Sequence, residues 1–440
     1  MRASDLPPLP EGFEYRLNLK HHVTPRLLRN QPIHRWFWFP HSFSPQLIDE
    51  ILCAFPVAAG GRIFDPFLGA GTTVLRALEL GYAATGSDLS PLSLFVSQVK
   101  LANYDGVMLR ECLETILNHY HPSYGNSKVP ERIRKAFTPG ELAHLNGLRQ
   151  QIDTAPQPAL DFFRLALLRV QQGISRACPD GGWFRWVPRE DQSQLIKHLF
   201  AQQANMQIAD AKSVRFPPFQ ILLSDVRQLE NLQGICDLVI TSPPYPNRHD
   251  YSRIFHIELL SLGISEREVT ELRRTSIRSH VEAEAPPLNA DGYVIPSRLA
   301  KILDLPANAD QRVVPLIKGY FEDLYLTLRS ISRYLKPGGI CAFVVGNVRH
   351  AGVMVPVDEI LADVGQQAGY RFITAWVARL RGNSAQQMGR FGRELSRETV
   401  VFLQKVKTTT SRLKQRLPLS SHLALEKNNL STSGDQTNAL

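Results

Sequence analysis

The chain has 440 residues, 43% of them hydrophobic, with 50 Lys and Arg against 41 Asp and Glu, a formal net charge of +9. No run approaches the ~18 uninterrupted apolar residues of a membrane span, and residues 1–11 are proline-rich and acidic, unlike a signal peptide, so a cytoplasmic protein without a membrane partner is expected. Cys53, Cys112, Cys178, Cys236 and Cys341 are scattered and form no Cys-x-x-Cys pair, which argues against a disulfide framework or a thiolate zinc site, while the positive balance favours a polyanionic partner.

In chain order, residues 61–67 read as a strand, 72–80 as a helix and 82–88 as a second strand, a βαβ unit with a glycine-rich turn. Ser90-Pro91 then opens a helix to about residue 103, with Ser90 as cap and Pro91 in the first turn. Residues 104–216 carry mainly helical patterns, such as 159–172 and 191–208. A crossover in a parallel sheet needs only ~12 residues, so this stretch is an insertion with a task of its own. Further strands are predicted at 219–224, 237–240, 339–346, 371–380 and 399–404. Helical patterns separate most of them, which implies a doubly wound, mostly parallel α/β sheet, Rossmann-like, with a terminal antiparallel hairpin.

The domain plan that follows is an N-terminal segment and first half-core over 1–103, a helical insertion over 104–216, and a second half-core over 217–406. The last contains an excursion over 246–335, with helices predicted at 251–262 and 314–334. Residues 407–440 are rich in Ser, Thr, Asn and Lys with little apolar periodicity and are expected to be mobile.

At the first βα turn stands Asp65-Pro66-Phe67-Leu68-Gly69-Ala70-Gly71-Thr72-Thr73. Gly69 and Gly71 permit a tight turn and close approach of a ligand, and the next helix offers free N–H groups. Asp88 ends the next strand, seventeen residues after Gly71, where a carboxylate can accept from ribose hydroxyls. The turn lacks the third glycine of the dinucleotide fingerprint and the Gly-Lys-Ser/Thr of a P-loop. With no basic residue from Asp65 to Val74, Asp65 suits the cationic methionine part of S-adenosylmethionine better than a pyrophosphate. Asp225, ending the third strand, is an acceptor for an adenine amino group or an ordinary helix cap.

After the apolar strand 237–240 comes Thr241-Ser242-Pro243-Pro244-Tyr245. Two prolines have no N–H and hold the preceding residues extended, so the chain leaves the sheet as a stiff rim. Such a rim suits a flat amino-bearing ring, whose N–H groups donate to Ser242 and a proline-flanked carbonyl while its face stacks on Tyr245.

Together these residues resemble the amino-methylating DNA methyltransferases of bacterial restriction-modification systems, which use S-adenosylmethionine to methylate cytosine N4 or adenine N6. The resemblance extends to His34-Arg35-Trp36-Phe37 through Pro40, to Phe43-Ser44-Pro45, and to the segment from Pro246 to Arg253, with its Asn247-Arg248 and Asp250-Tyr251. It implies Ser242, Pro243, Pro244 and Tyr245 as catalytic residues. It assigns the cofactor to Asp65, Pro66, Phe67, Gly69, Gly71, Thr72, Thr73, Asp88, Asp225 and Thr241. It also implies duplex DNA as substrate, entered by base flipping, and a cognate restriction endonuclease as companion. In this family Ser before Pro-Pro-Tyr mostly accompanies cytosine-N4 methylation and Asp or Asn adenine-N6 methylation, so cytosine is preferred. No Pro-Cys dipeptide is present for carbon-5 chemistry.

For DNA contact the sequence offers Arg248 and Arg253 beside the catalytic motif and Arg381, Arg390 and Arg393 in a Gly- and Gln-containing loop. The insertion adds arginines near Trp183 and Trp186. The rivals are an adenine-N6 methyltransferase and a non-catalytic DNA-binding protein on the same fold. A zinc deaminase has only the His256-Ile257-Glu258 spacing in its favour and lacks the Pro-Cys-x-x-Cys partner.

Overall fold

The computed structural model describes residues 6–124, 129–211, 216–217, 219–232, 234–304, 310–382 and 385–407. The tail expected to be mobile therefore lies, beyond Lys407, outside the described residues. The strands are β1 (Phe13–Tyr15), β2 (Arg62–Asp65), β3 (Ala83–Asp88), β4 (Ala177–Asp180), β5 (Trp183–Trp186) and β6 (Phe219–Leu223). They continue with β7 (Cys236–Thr241), β8 (Leu335–Gly346), β9 (Val348–His350), β10 (Val353–Val355), β11 (Tyr370–Arg381) and β12 (Ser396–Lys405).

Eight of these form one sheet in the order β1-β11-β12-β8-β7-β2-β3-β6. From β6 across to β8 every neighbour is parallel, and β12 runs antiparallel to both β8 and β11. This is the doubly wound, mostly parallel sheet with the expected antiparallel hairpin. One feature differs from the sequence reading: the outermost strand is β1, parallel to β11. Its three residues are too few to show a period, and it is held instead by Phe13 stacked 5.6 Å from Phe372 and by the Arg16 N–H donating to the Val377 carbonyl at 3.0 Å.

Both faces of the sheet are covered, and the strands alternate between two cores. Ile63, Leu238, Ile240, Ala342 and Val344 enter one cluster, while Phe64, Val239, Cys341, Phe343 and Val345 enter the other. The first face carries α1 (Pro45–Ala54), α2 (Thr72–Glu79) and α3 (Pro91–Leu101); the second carries the helices Val313–Ser332 and Val357–Gln367.

The insertion supplies α4 (Gly106–Asn118), α5 (Glu131–Ala136), α6 (Pro139–Ile152), α7 (Ala159–Ile174) and α8 (Ile196–Ala211). Phe162 of α7 meets Trp36 edge-on at 5.3 Å, and the insertion's apolar residues share a single cluster with α1 to α3. The insertion also contains the hairpin β4–β5, which its helical periodicity did not announce. The helix expected over 251–262 is broken at Phe255 into Tyr251–Ile254 and His256–Ser261.

Candidate active site

The βα turn after β2 positions the first half of the site. Gly69 (φ +51°) and Gly71 (φ +78°) take left-handed conformations, which glycine adopts without steric cost. Their surroundings differ. A Cβ on Gly71 would stand 2.7 Å from Ser97 Oγ of α3, whereas one on Gly69 would meet nothing closer than the Phe39 ring at 3.6 Å. Gly71 therefore lets α2 start against α3, and Gly69 faces an open cleft. Gly86, which the sequence reading passed over, leaves the room that Leu68 of this loop fills, since a Cβ there would lie 2.4 Å from Leu68 Cδ1.

Asp65, at the tip of β2, is 2% exposed. Its Oδ1 accepts from the Thr241 hydroxyl at 2.6 Å and the Phe67 N–H at 3.1 Å. Burial raises its pKa to about 6, against the lowering effect of those bonds. Thr73 donates to the Ile240 carbonyl at 3.3 Å, so Thr73 and Thr241 stitch the cofactor loop to β7.

Asp88 closes the loop from the other side, accepting from the Gly69 N–H at 2.9 Å and the Ser90 N–H at 2.8 Å. The Ser93 side chain and the Leu89 N–H add hydrogen bonds to the same carboxylate, which lines the cleft. Asp225 is also engaged: it caps the turn at Val226 and is bound by the Arg227 guanidinium at 2.7 Å, which also reaches buried Asp323 at 3.2 Å. The helix-cap reading of Asp225 is thus realised, although the residue still lines the cleft.

That cleft is open to solvent and spans about 1120 Å³ with the space at its mouth included. Of the expected site residues, Asp65, Pro66, Phe67, Gly69, Thr72, Asp88, Asp225, Ser242 and Pro244 line it, whereas Gly71, Thr73, Thr241, Pro243 and Tyr245 stand outside its lining. Among the described residues four aspartates, Asp65, Asp88, Asp225 and Asp250, line it and no Lys or Arg does. This lining suits a cationic, hydroxyl-rich nucleoside such as S-adenosylmethionine and offers no Lys or Arg side chain to a pyrophosphate.

The Ser-Pro-Pro-Tyr rim follows β7. The Ser242 hydroxyl donates to the Val344 carbonyl of β8 at 3.1 Å. Tyr245 is half-buried, with its hydroxyl 3.4 Å from Glu398 Oε1 and its ring under the Arg381 guanidinium at 5.9 Å. Gly346 makes this arrangement fit, because a Cβ there would lie 2.7 Å from both the Tyr245 ring and Arg381 Nη2.

The walls beside Ser242 and Pro244 come from residues to which the sequence reading assigned no role: Phe39, His41, Ser42 and Tyr251. His41 sits 5.0 Å from the His249 ring and 5.3 Å from Tyr251. Burial, then His249 and Arg381, push its pKa down to about 3, which leaves it neutral. Its Nδ1 is buried without a hydrogen-bond partner among the described residues. The aromatic density of residues 34–43 was the one available sign of this wall.

The arginines divide into two groups. Arg253 pairs with Asp250 and Glu282 and stacks on Trp183 at 4.5 Å, so its charge is already spent inside the protein. Arg248, with φ +71°, pairs with Asp310 at 3.1 Å. Arg381 covers Tyr245. Arg390 lies over Phe391 at 5.2 Å, and Arg390 and Arg393 are exposed. His256 pairs with Glu266 at 2.7 Å, while Glu258 is buried elsewhere toward Gln172. The deaminase spacing is therefore two unrelated contacts.

Strand order and strand-tip cleft together define a Rossmann-like methyltransferase fold. No family model matches the chain. It is 26% identical to the Type II methyltransferase M.BsoBI of Geobacillus stearothermophilus, over 86% of each chain. To M.AvaI of Nostoc sp. it is 25% identical over 90% of this chain and 92% of the other, and to M.MvaI of Kocuria varians 22% over 75% and 80%. Alignments that run nearly end to end on both sides make the chain a homologue of these Type II methyltransferases. Among solved structures, TrmN from Thermus thermophilus overlaps 82% of this chain and 49% of its own at 11% identity and a TM-score of 0.30. So low an overlap leaves the fold assignment to the strand order itself.

Proposed function

We propose that the protein is an S-adenosylmethionine-dependent DNA methyltransferase that methylates the exocyclic N4 amino group of cytosine in duplex DNA, protecting that DNA beside a cognate restriction endonuclease. The observation that carries an amino-group target is the direction of the Ser242 hydrogen bond, while the preference for cytosine over adenine rests on serine standing before Pro-Pro-Tyr. Its proton is committed to the Val344 carbonyl, so toward the cleft Ser242 Oγ acts as an acceptor. An amino group, which donates, is the complementary partner.

When bound, S-adenosylmethionine supplies an electrophilic methyl group on a sulfonium. The chain's own residues do the rest. Asp65, Asp88 and the Gly69 turn hold the donor at the strand tips. Ser242 draws an amino proton toward itself, which helps to localise a lone pair otherwise delocalised into the ring and aims it across the cleft. Positioning of this kind contributes roughly 7–11 kcal/mol when reacting atoms are held in line. The excess proton leaves the methylated nitrogen to water.

The target atom lies inside the duplex, so the base is flipped at a cost of a few kcal/mol. Stacking among Phe39, His41 and Tyr251 offsets part of that cost at roughly 1–3 kcal/mol per base, with Tyr245 contributing if Arg381 yields its face. The test is nucleoside analysis of duplex DNA after incubation with S-adenosylmethionine. N4-methylcytosine supports the proposal, N6-methyladenine transfers the reading to adenine, and no methylated base at all refutes it.

A further inference from the structure

The hairpin β4–β5 is bound to the catalytic segment by contacts that its place in the insertion did not foretell. A Cβ on Gly182, in its turn, would lie 2.3 Å from the Arg248 carbonyl oxygen and 3.3 Å from His249 Cα. The turn therefore rests directly on the backbone six residues past Ser242. Trp183 is clamped between Arg253 at 4.5 Å and Arg132 of α5 at 5.6 Å. Phe184 is 3% exposed and anchors the other side of the strand.

What remains outward is a cation and an indole. The Arg185 side chain is 71% exposed and, among the described residues, has Asp180 at 3.7 Å as its ion-pair partner. Trp186 is 43% exposed, yet it is fixed edge-on against Phe184 at 5.1 Å and 82°. A single exposed apolar residue is ordinary. Successive strand residues take opposite faces, so the end of this ribbon presents a buttressed tryptophan on one face and an exposed arginine on the other, on an element resting against the catalytic segment. At about 3.4 Å per strand residue, Trp186 lies roughly 14 Å along the ribbon from Gly182, the rise of about four base pairs.

We propose that the outer part of β5, Arg185 with Trp186, is a contact surface for duplex DNA flanking the flipped base. Arg185 meets a phosphate, and the indole lies against a base or sugar. A two-stranded ribbon is of a width that the major groove admits. This rests on the reading of duplex DNA as substrate, and it moves the contact role from Arg253, whose charge is internally paired, to its neighbour on the hairpin.

The test measures binding of a fluorescein-labelled mixed-sequence 40-base-pair duplex by anisotropy at several salt concentrations. R185A is expected to reduce the log–log salt slope by about 0.9. W186A is expected to weaken binding by roughly 5- to 100-fold with an unchanged slope, and W186F to restore most of it. Both alanine variants should keep wild-type S-adenosylmethionine affinity by calorimetry, which separates a lost contact from a lost fold. Wild-type affinity and slope in both variants would overturn the proposal. Methyl incorporation into plasmid DNA by the wild-type protein shows whether the substrate reading stands on its own; a wild-type protein that neither binds nor methylates DNA overturns both.

Discussion

Lys100 offers the sharpest quantitative prediction. This residue of α3 is 2% exposed, and its ammonium donates to the Ala70 carbonyl at 3.1 Å and the His34 carbonyl at 3.2 Å. It thus ties the cofactor loop to the N-terminal segment. Burial pushes its pKa down to about 7. The other charged groups near it are His34, itself held low chiefly by burial, with Glu79 and Arg76 beside it. An unfolded lysine titrates near 10.4, so between about 7 and 10.4 the unfolded chain binds the extra proton and stability rises with pH. For these two values the gain between about pH 6.5 and 9 is about 2.5 kcal/mol. Lys100→Met removes the titrating group and leaves two carbonyls unpaired, a constant loss of about 1–3 kcal/mol each. Urea unfolding of both proteins at the two pH values should show the wild type gaining about 2.5 kcal/mol more than the variant, and the variant should bind S-adenosylmethionine more weakly. Parallel pH dependences would refute the buried, depressed lysine, and unchanged cofactor affinity would refute its hold on the loop.

Further outcomes follow from the site. Ser242→Ala should lower kcat for DNA methylation by at least ten-fold while leaving S-adenosylmethionine affinity by calorimetry unchanged; an unchanged rate removes Ser242 from the reaction. Because Asp65 titrates near 6 and must be ionised to hold a cation, cofactor affinity should fall as pH drops through that value. Asp65→Asn should be weak and flat across the same range. Gly346→Ala would drive a methyl to 2.7 Å from the Tyr245 ring and Arg381, and should lower stability by about 1–3 kcal/mol in urea while displacing Tyr245.

The sheet was legible because its strands are buried on both faces and read as continuous apolar runs set between helical patterns. The glycine turn, Asp88 and the Ser-Pro-Pro-Tyr rim could be placed because each sits at a strand tip, where chemistry and topology coincide. Three short elements escaped, β1 and the hairpins β4–β5 and β9–β10, since strands of three and four residues carry no usable period and none of these leads through a glycine turn into a helix, the pattern that marked four-residue β2. The aromatic wall of Phe39, His41 and Tyr251 escaped for a different reason: it is assembled from segments some two hundred residues apart, and only tertiary contact shows that they face one cleft. The arginines illustrate the converse. Position near the motif nominated Arg253, but ion pairing with Asp250 and Glu282, invisible in sequence, decides its role.

The bond between Thr241 and Asp65 joins the two halves of the chemistry across 176 residues of chain. Thr241 is the neighbour of Ser242, so the carboxylate expected to face the donor and the hydroxyl expected to face the base sit on the adjacent tips of β2 and β7. This arrangement makes cofactor binding answer to a substitution that touches neither ligand. Thr241→Val keeps the shape of the side chain and removes a hydrogen bond that favours the ionised form of Asp65. A bond to a charged acceptor is worth about 1.5–3 kcal/mol, equivalent to roughly one to two pH units. The pH below which S-adenosylmethionine affinity is lost should therefore climb from about 6 to above 7. At about pH 9, with Asp65 ionised in both proteins, the affinities should converge. Calorimetric titration across that range decides the matter: a uniform loss at every pH would mean that Thr241 acts through packing alone, and an unmoved midpoint would mean that Asp65 is not the group whose charge holds the cofactor.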